Sequence, residues 1–128
     1  MRVLVVDKDQ ETLDFFSSLL HLEAHEMGIV SEPALALPAA LEFLPDIAFI
    51  DVSMPEIDGC QVAVLLRQHR ELDRTLLVAV TGHGSRTDHE ETHAAGFDVL
   101  LLKPVESRDI QLLLKRRPQP APRPSSSH

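Results

Sequence analysis

The sequence predicts an α/β domain built on a single doubly wound parallel sheet of five strands. Three observations carry that prediction. Four apolar runs each end in one polar group: Val3 to Val6 in Asp7, Ile47 to Ile50 in Asp51, Leu76 to Val80 in Thr81, and Val99 to Leu102 in Lys103. Segments of helical periodicity separate these runs, and the runs themselves are nearly unbroken in apolar character rather than alternating. Strands of that kind, interleaved with helices, imply a parallel sheet covered on both faces with right-handed crossovers. The carboxyl ends of parallel strands share one rim, where open α/β sheets keep their chemistry. Asp7, Asp51, Thr81 and Lys103 are therefore expected to converge, although they are scattered along the chain.

The elements follow in order. After Val3 to Val6, Leu13, Phe16 and Leu20 recur at helical spacing, with Phe15, Leu19 and Leu22 widening the stripe and Asp9 placed to cap the helix. Met27 to Val30 is a short second strand. Pro33, Pro38 and Pro45 are expected to confine the second helix to about Ala39 to Leu44, since proline is accepted in a first turn but not in an interior. Ile47 to Ile50 is the third strand, and Val62, Leu65, Leu66 and His69 trace the face of the third helix. Leu76 to Val80 is the fourth strand. Ser85 with Asp88 reads as a capping signature and Gly96 as the stop of a short fourth helix. Val99 to Leu102 is the fifth strand, and Ser107 is placed to cap a last helix carrying Ile110, Leu113 and Leu114. Residues 1–115 are thus expected to fold, and residues 116–128 to form a Pro/Ser-rich, disordered or polyproline-like tail.

Composition narrows the function. At 128 residues, 44% hydrophobic and 25% charged, the chain fits one domain with a real core. A net charge of -8 repels phosphate backbones, so nucleic acid is not an expected partner; Lys115-Arg116-Arg117 is read as cations complementing a helix C-terminus. The single cysteine, Cys60, excludes an internal disulfide and suits a reducing compartment. No segment resembles a signal peptide or reaches membrane-spanning length, so the expected location is the cytoplasm, away from membranes.

Four motifs carry a resemblance: VLVVDKD at the first strand, PDIAFIDVSMPEIDG at the third, LVAVTGHG at the fourth and AGFDVLLLKPV at the fifth. In this order, at these strand ends, the chain resembles the receiver domains of two-component response regulators, especially those found with hybrid sensor histidine kinases. The resemblance spans Arg2 to about Lys115. It implies a flavodoxin-like fold with strand order 2-1-3-4-5, and a phosphoacceptor at Asp51 fed by a histidine kinase or histidine phosphotransfer domain. It implies a metal-binding acid at Asp7, a switch hydroxyl at Thr81, a phosphate-facing Lys103 followed by Pro104, and a loop marked by Pro55, Asp58 and Gly59. The only chemistry implied is gain and loss of a phosphoryl group.

That assignment is chemically coherent. Phosphoryl transfer to a carboxylate relies on positioning and on positive charge around the equatorial oxygens. Lys103 and a magnesium ion would supply the charge, with Asp7, Asp51 and the backbone carbonyl of Ser53 forming the metal shell. Thr81 can hydrogen-bond a phosphoryl oxygen. The signal is expected to reach a downstream protein partner from a monomer or weak homodimer.

Two residues depart from the family pattern. Lys8 replaces the usual second acid; unit charges about 4 Å apart interact by roughly 4 kcal/mol at an effective dielectric of 20, so an inward Lys8 would weaken magnesium binding. Leu100 occupies the position where many receivers carry a switching aromatic residue. Together they define the alternative of a degenerate receiver, acting as a phosphorylation-independent interaction module. A further alternative, a zinc hydrolase, comes from His89-Glu90-Glu91-Thr92-His93, which matches HExxH with His89 and His93 as ligands and Glu90 as base. No third ligand is evident for it in the sequence. Cys60, at the start of the third helix, is read as a small packed residue.

Overall fold

The computed structural model describes residues 1–53, 59–82 and 86–115, with residues 86–88 described in backbone only. Five strands, β1 (Arg2–Val6), β2 (Glu26–Val30), β3 (Ile47–Asp51), β4 (Leu76–Thr81) and β5 (Val99–Leu102), form one sheet. All pairings are parallel and the order is β2-β1-β3-β4-β5, as expected. Five helices connect them: α1 (Gln10–Leu22), α2 (Ala36–Phe43), α3 (Gly59–Arg67), α4 (Arg86–Ala95) and α5 (Ser107–Lys115).

The strand period of two divides the core into two layers. Val3, Val5, Ile47, Phe49, Val78 and Val80 pack under α1 and α5, where Phe16 meets Phe49 with ring centroids 4.8 Å apart. Leu4, Val6, Ala48, Ile50, Leu77 and Ala79 pack under α2 and α3. Both faces are buried, which is why β3 and β4 contain only buried residues. Cys60 and Leu100 are half-buried against the second layer.

Several local expectations need correction. The second helix starts earlier than Ala39, after a 3-10 turn at Pro33–Leu35, because Pro38 is the third residue of α2, where its missing N–H has no intrahelical partner to lose. Leu44 is not helical; at φ 50 it closes α2 in the left-handed conformation. Leu22, assigned to the buried stripe of α1, is 82% exposed at the helix end. In α3 the buried stripe is Val62, Ala63 and Leu66; Leu65 is 44% exposed and His69 lies beyond the helix, opening the 3-10 turn Arg70–Leu72. Asp9 does stand at the N-cap of α1, but its carboxylate makes no cap bond and instead accepts from the Thr12 hydroxyl at 2.7 Å. Ser107 is the first residue of α5, and the Glu106 carbonyl before it receives the Asp109 and Ile110 N–H groups. Gly96 ends α4 at φ 113, as expected of a left-handed stop. Ser85 and the segment 116–128 lie outside the described residues.

Arg67 ties the end of α3 to the far side of the sheet. Its Nε donates to the Gly96 carbonyl at 3.0 Å, one terminal nitrogen to the Leu72 and Thr75 carbonyls at 3.0 Å each, and the other to Asp98 Oδ2 at 2.7 Å. The same Asp98 oxygen accepts the Leu77 N–H at 2.9 Å. Removing Arg67 leaves three carbonyls and a carboxylate without this donor. Arg67→Met is expected to destabilise the domain by about 2 kcal/mol, and Arg67→Lys to recover only part of it, because an ammonium lacks the planar fork. Urea unfolding of the three proteins checks this; equal midpoints would remove Arg67 from the account.

Candidate functional site

β1 and β3 are neighbours, so their carboxyl ends set two carboxylates side by side. Asp7 is 2% exposed and Asp51 6% exposed. β5, two strands away, ends in Lys103, whose backbone N–H donates to the Thr81 carbonyl at 2.8 Å. From there its ammonium reaches both acids: Nζ lies 3.2 Å from Asp51 Oδ2 and 3.3 Å from Asp7 Oδ2. The remaining oxygens are held by local turns. Asp7 Oδ1 accepts the Asp9 N–H at 2.8 Å. Asp51 Oδ1 accepts both the Ser53 N–H at 2.9 Å and the Ser53 hydroxyl at 2.6 Å.

Burial dominates the electrostatics. It pushes the Asp7 carboxyl above its ordinary value; the Asp9 N–H opposes that, Asp51 adds repulsion and Lys103 subtracts from it. Burial would lower Lys103, but attraction to Asp51 and then Asp7 outweighs it, and the ammonium's pKa is raised. Asp9, on the exposed rim, is lowered chiefly by the Thr12 hydroxyl.

Of the residues singled out in the sequence, Asp7, Asp51 and Lys103 come together. Thr81 is buried at the end of β4, one residue past the Val80 that pairs with Asp51, and Gly82 beside it faces open space. Gly59 must be glycine: a Cβ there would stand 2.6 Å from the Val52 Cα and 2.9 Å from the Asp51 carbonyl oxygen. Pro104 follows Lys103 through a cis peptide. Lys8 is exposed. Pro55 and Asp58 lie outside the described residues. The Ser53 side chain is a contact the sequence reasoning missed; Asp-Val-Ser after a strand, a spacing at which serine can bond back to the carboxylate, was the available signal. His89 and His93 are exposed on α4, and among the described residues no group of three His, Cys, Asp or Glu side chains is placed to hold a metal ion.

This fold and rim are those of a phosphoacceptor signalling module. Residues 3–115 match the family described as Response regulator receiver domain, and the chain belongs to that family. It is 29% identical over 113 residues to the transcriptional regulatory protein SrrA of Staphylococcus aureus, covering 88% of this chain and 46% of SrrA. The chain thus spans about half the length of the curated relatives it matches. Among solved structures, the Vibrio cholerae chemotaxis protein CheY4 superposes with a TM-score of 0.84 at 24% identity, covering 90% of this chain and 96% of that one. The receiver domain of sensor histidine kinase PA1611 from Pseudomonas aeruginosa PAO1 gives 0.81 at 22%, covering 90% and 94%. The zinc-hydrolase alternative is thereby overturned: a receiver is a two-component signalling module, and its family chemistry is phosphoryl gain and loss at an aspartate.

A raised Asp7 pKa has a defined consequence for stability. The folded carboxyl holds its proton to a higher pH than the unfolded one, so the associated stability is full below the ordinary value of 3.8 and is lost as pH rises through the folded value. Above that window ionised Asp7 is a cost. Asp7→Asn is therefore expected to raise the urea midpoint at pH 7 in chelator, with the gain shrinking as pH falls toward 3.8. A variant less stable than wild type at pH 7 would contradict it.

Proposed function

We propose that Asp51 is the residue this receiver phosphorylates, taking the group from a histidine kinase or a histidine phosphotransfer domain. The observation that carries the reading is the Lys103 ammonium shared between Asp51 and Asp7 on a buried rim. In this reading Asp51 is the nucleophile, with Ser53 orienting one of its oxygens and Lys103 the other. Lys103 then faces the phosphoryl oxygens, with the Thr81 hydroxyl as their second contact, and Leu100 with Thr81 forms the switch region.

Two carboxylates against one ammonium leave the rim with an excess of negative charge, and this donor set fits magnesium, which favours one or two carboxylates with retained waters. Asp7, Asp51 and the Ser53 carbonyl would hold the ion. When bound it neutralises phosphoryl oxygens. The PA1611 receiver has a magnesium ion coordinated in its active-site cleft, which supports the same location here. Exposure of Lys8 favours a working phosphoacceptor over a degenerate receiver, because an ammonium screened by water repels the metal less than one turned inward.

In this reading residues 1–115 are the receiver and 116–128 a tail. The domain works in the cytoplasm as a monomer or weak homodimer and passes its state to a downstream protein; no helix among the described residues is long and apolar enough to cross a membrane.

Intact mass after incubation with acetyl phosphate and magnesium should show one added phosphoryl group. Asp51→Asn should show none while keeping its fold by circular dichroism; undiminished labelling of that variant would refute the assignment. Lys8→Asp adds an anionic ligand and removes a cation, and should tighten magnesium at least about tenfold, or 1.4 kcal/mol, by calorimetry or amide NMR, with faster labelling of Asp51. Equal affinity in the two proteins would show that Lys8 does not tune the metal.

A further inference from the structure

β2 is an edge of the sheet, and its outer side has no strand against it among the described residues. The Glu26 N–H donates to the Met1 carbonyl at 3.1 Å and the Val30 carbonyl accepts the Asp7 N–H at 3.0 Å. By the strand period, Glu26, Gly28 and Val30 therefore turn their backbone groups toward β1, and Met27 and Ile29 turn theirs outward. Edge strands are commonly guarded by a lysine, a proline or a bulge. β2 reads Glu-Met-Gly-Ile-Val and stays in unbroken register with β1, so it has none of the three. Ile29, on this edge, is 53% exposed.

We propose that two copies of the chain associate through β2, the two strands antiparallel about a two-fold axis at Gly28, so that their sheets join into one. This gives a surface to the weak homodimer of the reading above, and it rests on that part of the reading alone. The outward groups are self-complementary. Met27 and Ile29 flank Gly28 symmetrically, so the two-fold sets each Met27 opposite the partner's Ile29. In an antiparallel ladder such a pair exchanges two N–H to carbonyl bonds, and every outward N–H of both strands finds an acceptor. Gly28 meets its own copy at the non-bonded position, where facing Cα atoms approach to about 4.5 Å and a missing side chain favours the contact. Met27 packs against the layer under α1 and α5, and Ile29 shares its face by the strand period. Each exposed Ile29 thus covers the partner's Met27 as an apolar cross-strand pair.

Charge selects this register over its neighbour. Each copy carries -8, so copies repel unless the contact keeps acids apart. Glu26 is the one charged residue of β2, and Arg2 Nε lies 3.8 Å from its carboxylate. With the axis at Gly28, each Glu26 faces the partner's Val30, and the two glutamates stand about 13 Å apart along the strands, beyond the roughly 8 Å Debye length at physiological salt. An axis at Met27 would bring them to about 7 Å. Pairing along so short an edge falls below the roughly 800 Å² per partner of a stable interface, so the dimer is weak and forms at high concentration.

Amide hydrogen exchange followed by NMR tests the proposal. The Met27 and Ile29 amides should exchange about threefold more slowly at about 1 mM chain than at about 50 µM, and the difference should widen as salt screens the repulsion. Ile29→Lys should abolish this concentration dependence. Ile29→Pro should do the same, since it deletes an outward donor and leaves the ladder to β1 intact. Rates for Val5 and Phe49, inside the sheet, should be equal in all three proteins and so report an intact fold. Sedimentation velocity should show the weak dimer in wild type and monomer in both variants. Exchange of Met27 and Ile29 that does not change with concentration would overturn the proposal, and so would a dimer that persists in both variants. Neither readout involves phosphorylation, so such a failure leaves the Asp51 assignment standing.

Discussion

One ammonium placed between two buried carboxylates is the interaction around which the functional end of this domain is organised. Asp7 and Asp51 end adjacent strands, and without a cation between them their burial would be penalised twice, by lost hydration and by mutual repulsion. Lys103 answers both, and it can do so only because β5 runs parallel to β1 and β3 and ends at the same rim. The rest of the architecture serves that convergence. The two apolar layers fix the sheet, the Lys103 N–H is bonded to Thr81, and Gly59 stands close against Val52 and the Asp51 carbonyl.

The balance at this rim is incomplete by design of its residues. Two acids against one shared cation leave room for more positive charge; burial is the first cause of the raised Asp7 pKa, and repulsion from Asp51 adds to it. A divalent ion held by Asp7, Asp51 and the Ser53 carbonyl would relieve it. A phosphoryl group on Asp51 would change the count again, turning the Lys103 ammonium from a carboxylate partner into a phosphoryl partner. On the proposed assignment, the site's chemistry and its capacity to signal would have the same source, a charge balance that each bound species would shift.

The sheet was legible because parallel strands buried on both faces read as unbroken apolar runs, and the rim because each run stops at a polar residue. Strand ends were read one residue short at Asp51 and Thr81, which are polar yet still paired in the ladder. The start of α2 is not legible from its prolines, because Pro38 sits inside the first turn, where its missing N–H costs no intrahelical bond. Leu22 and Leu65 fit the periodicity yet lie exposed, because periodicity defines a stripe but not where it meets solvent. The Arg67–Asp98 pair joins residues 31 apart with no pattern to mark them; only the packing of α3 against the α4–β5 connection brings them together.

That packing bears on how a change at the rim could travel. The five aromatic residues, Phe15, Phe16, Phe43, Phe49 and Phe97, all lie off β5, so β5 has no ring to rotate. Leu100 packs half-buried against the layer under α2 and α3, and its aliphatic side chain has no polar tip to reward an outward position. Arg67 fixes the C-terminal end of α4 through Gly96. α4 is thus tied at that end, and backbone bonds from Lys103 N–H to the Thr81 carbonyl and from Val52 N–H to the Val80 carbonyl link the rim to β4 on both sides. On β5, then, there is no aromatic side chain to swing, and the groups that join the strand ends at the rim are already bonded to one another.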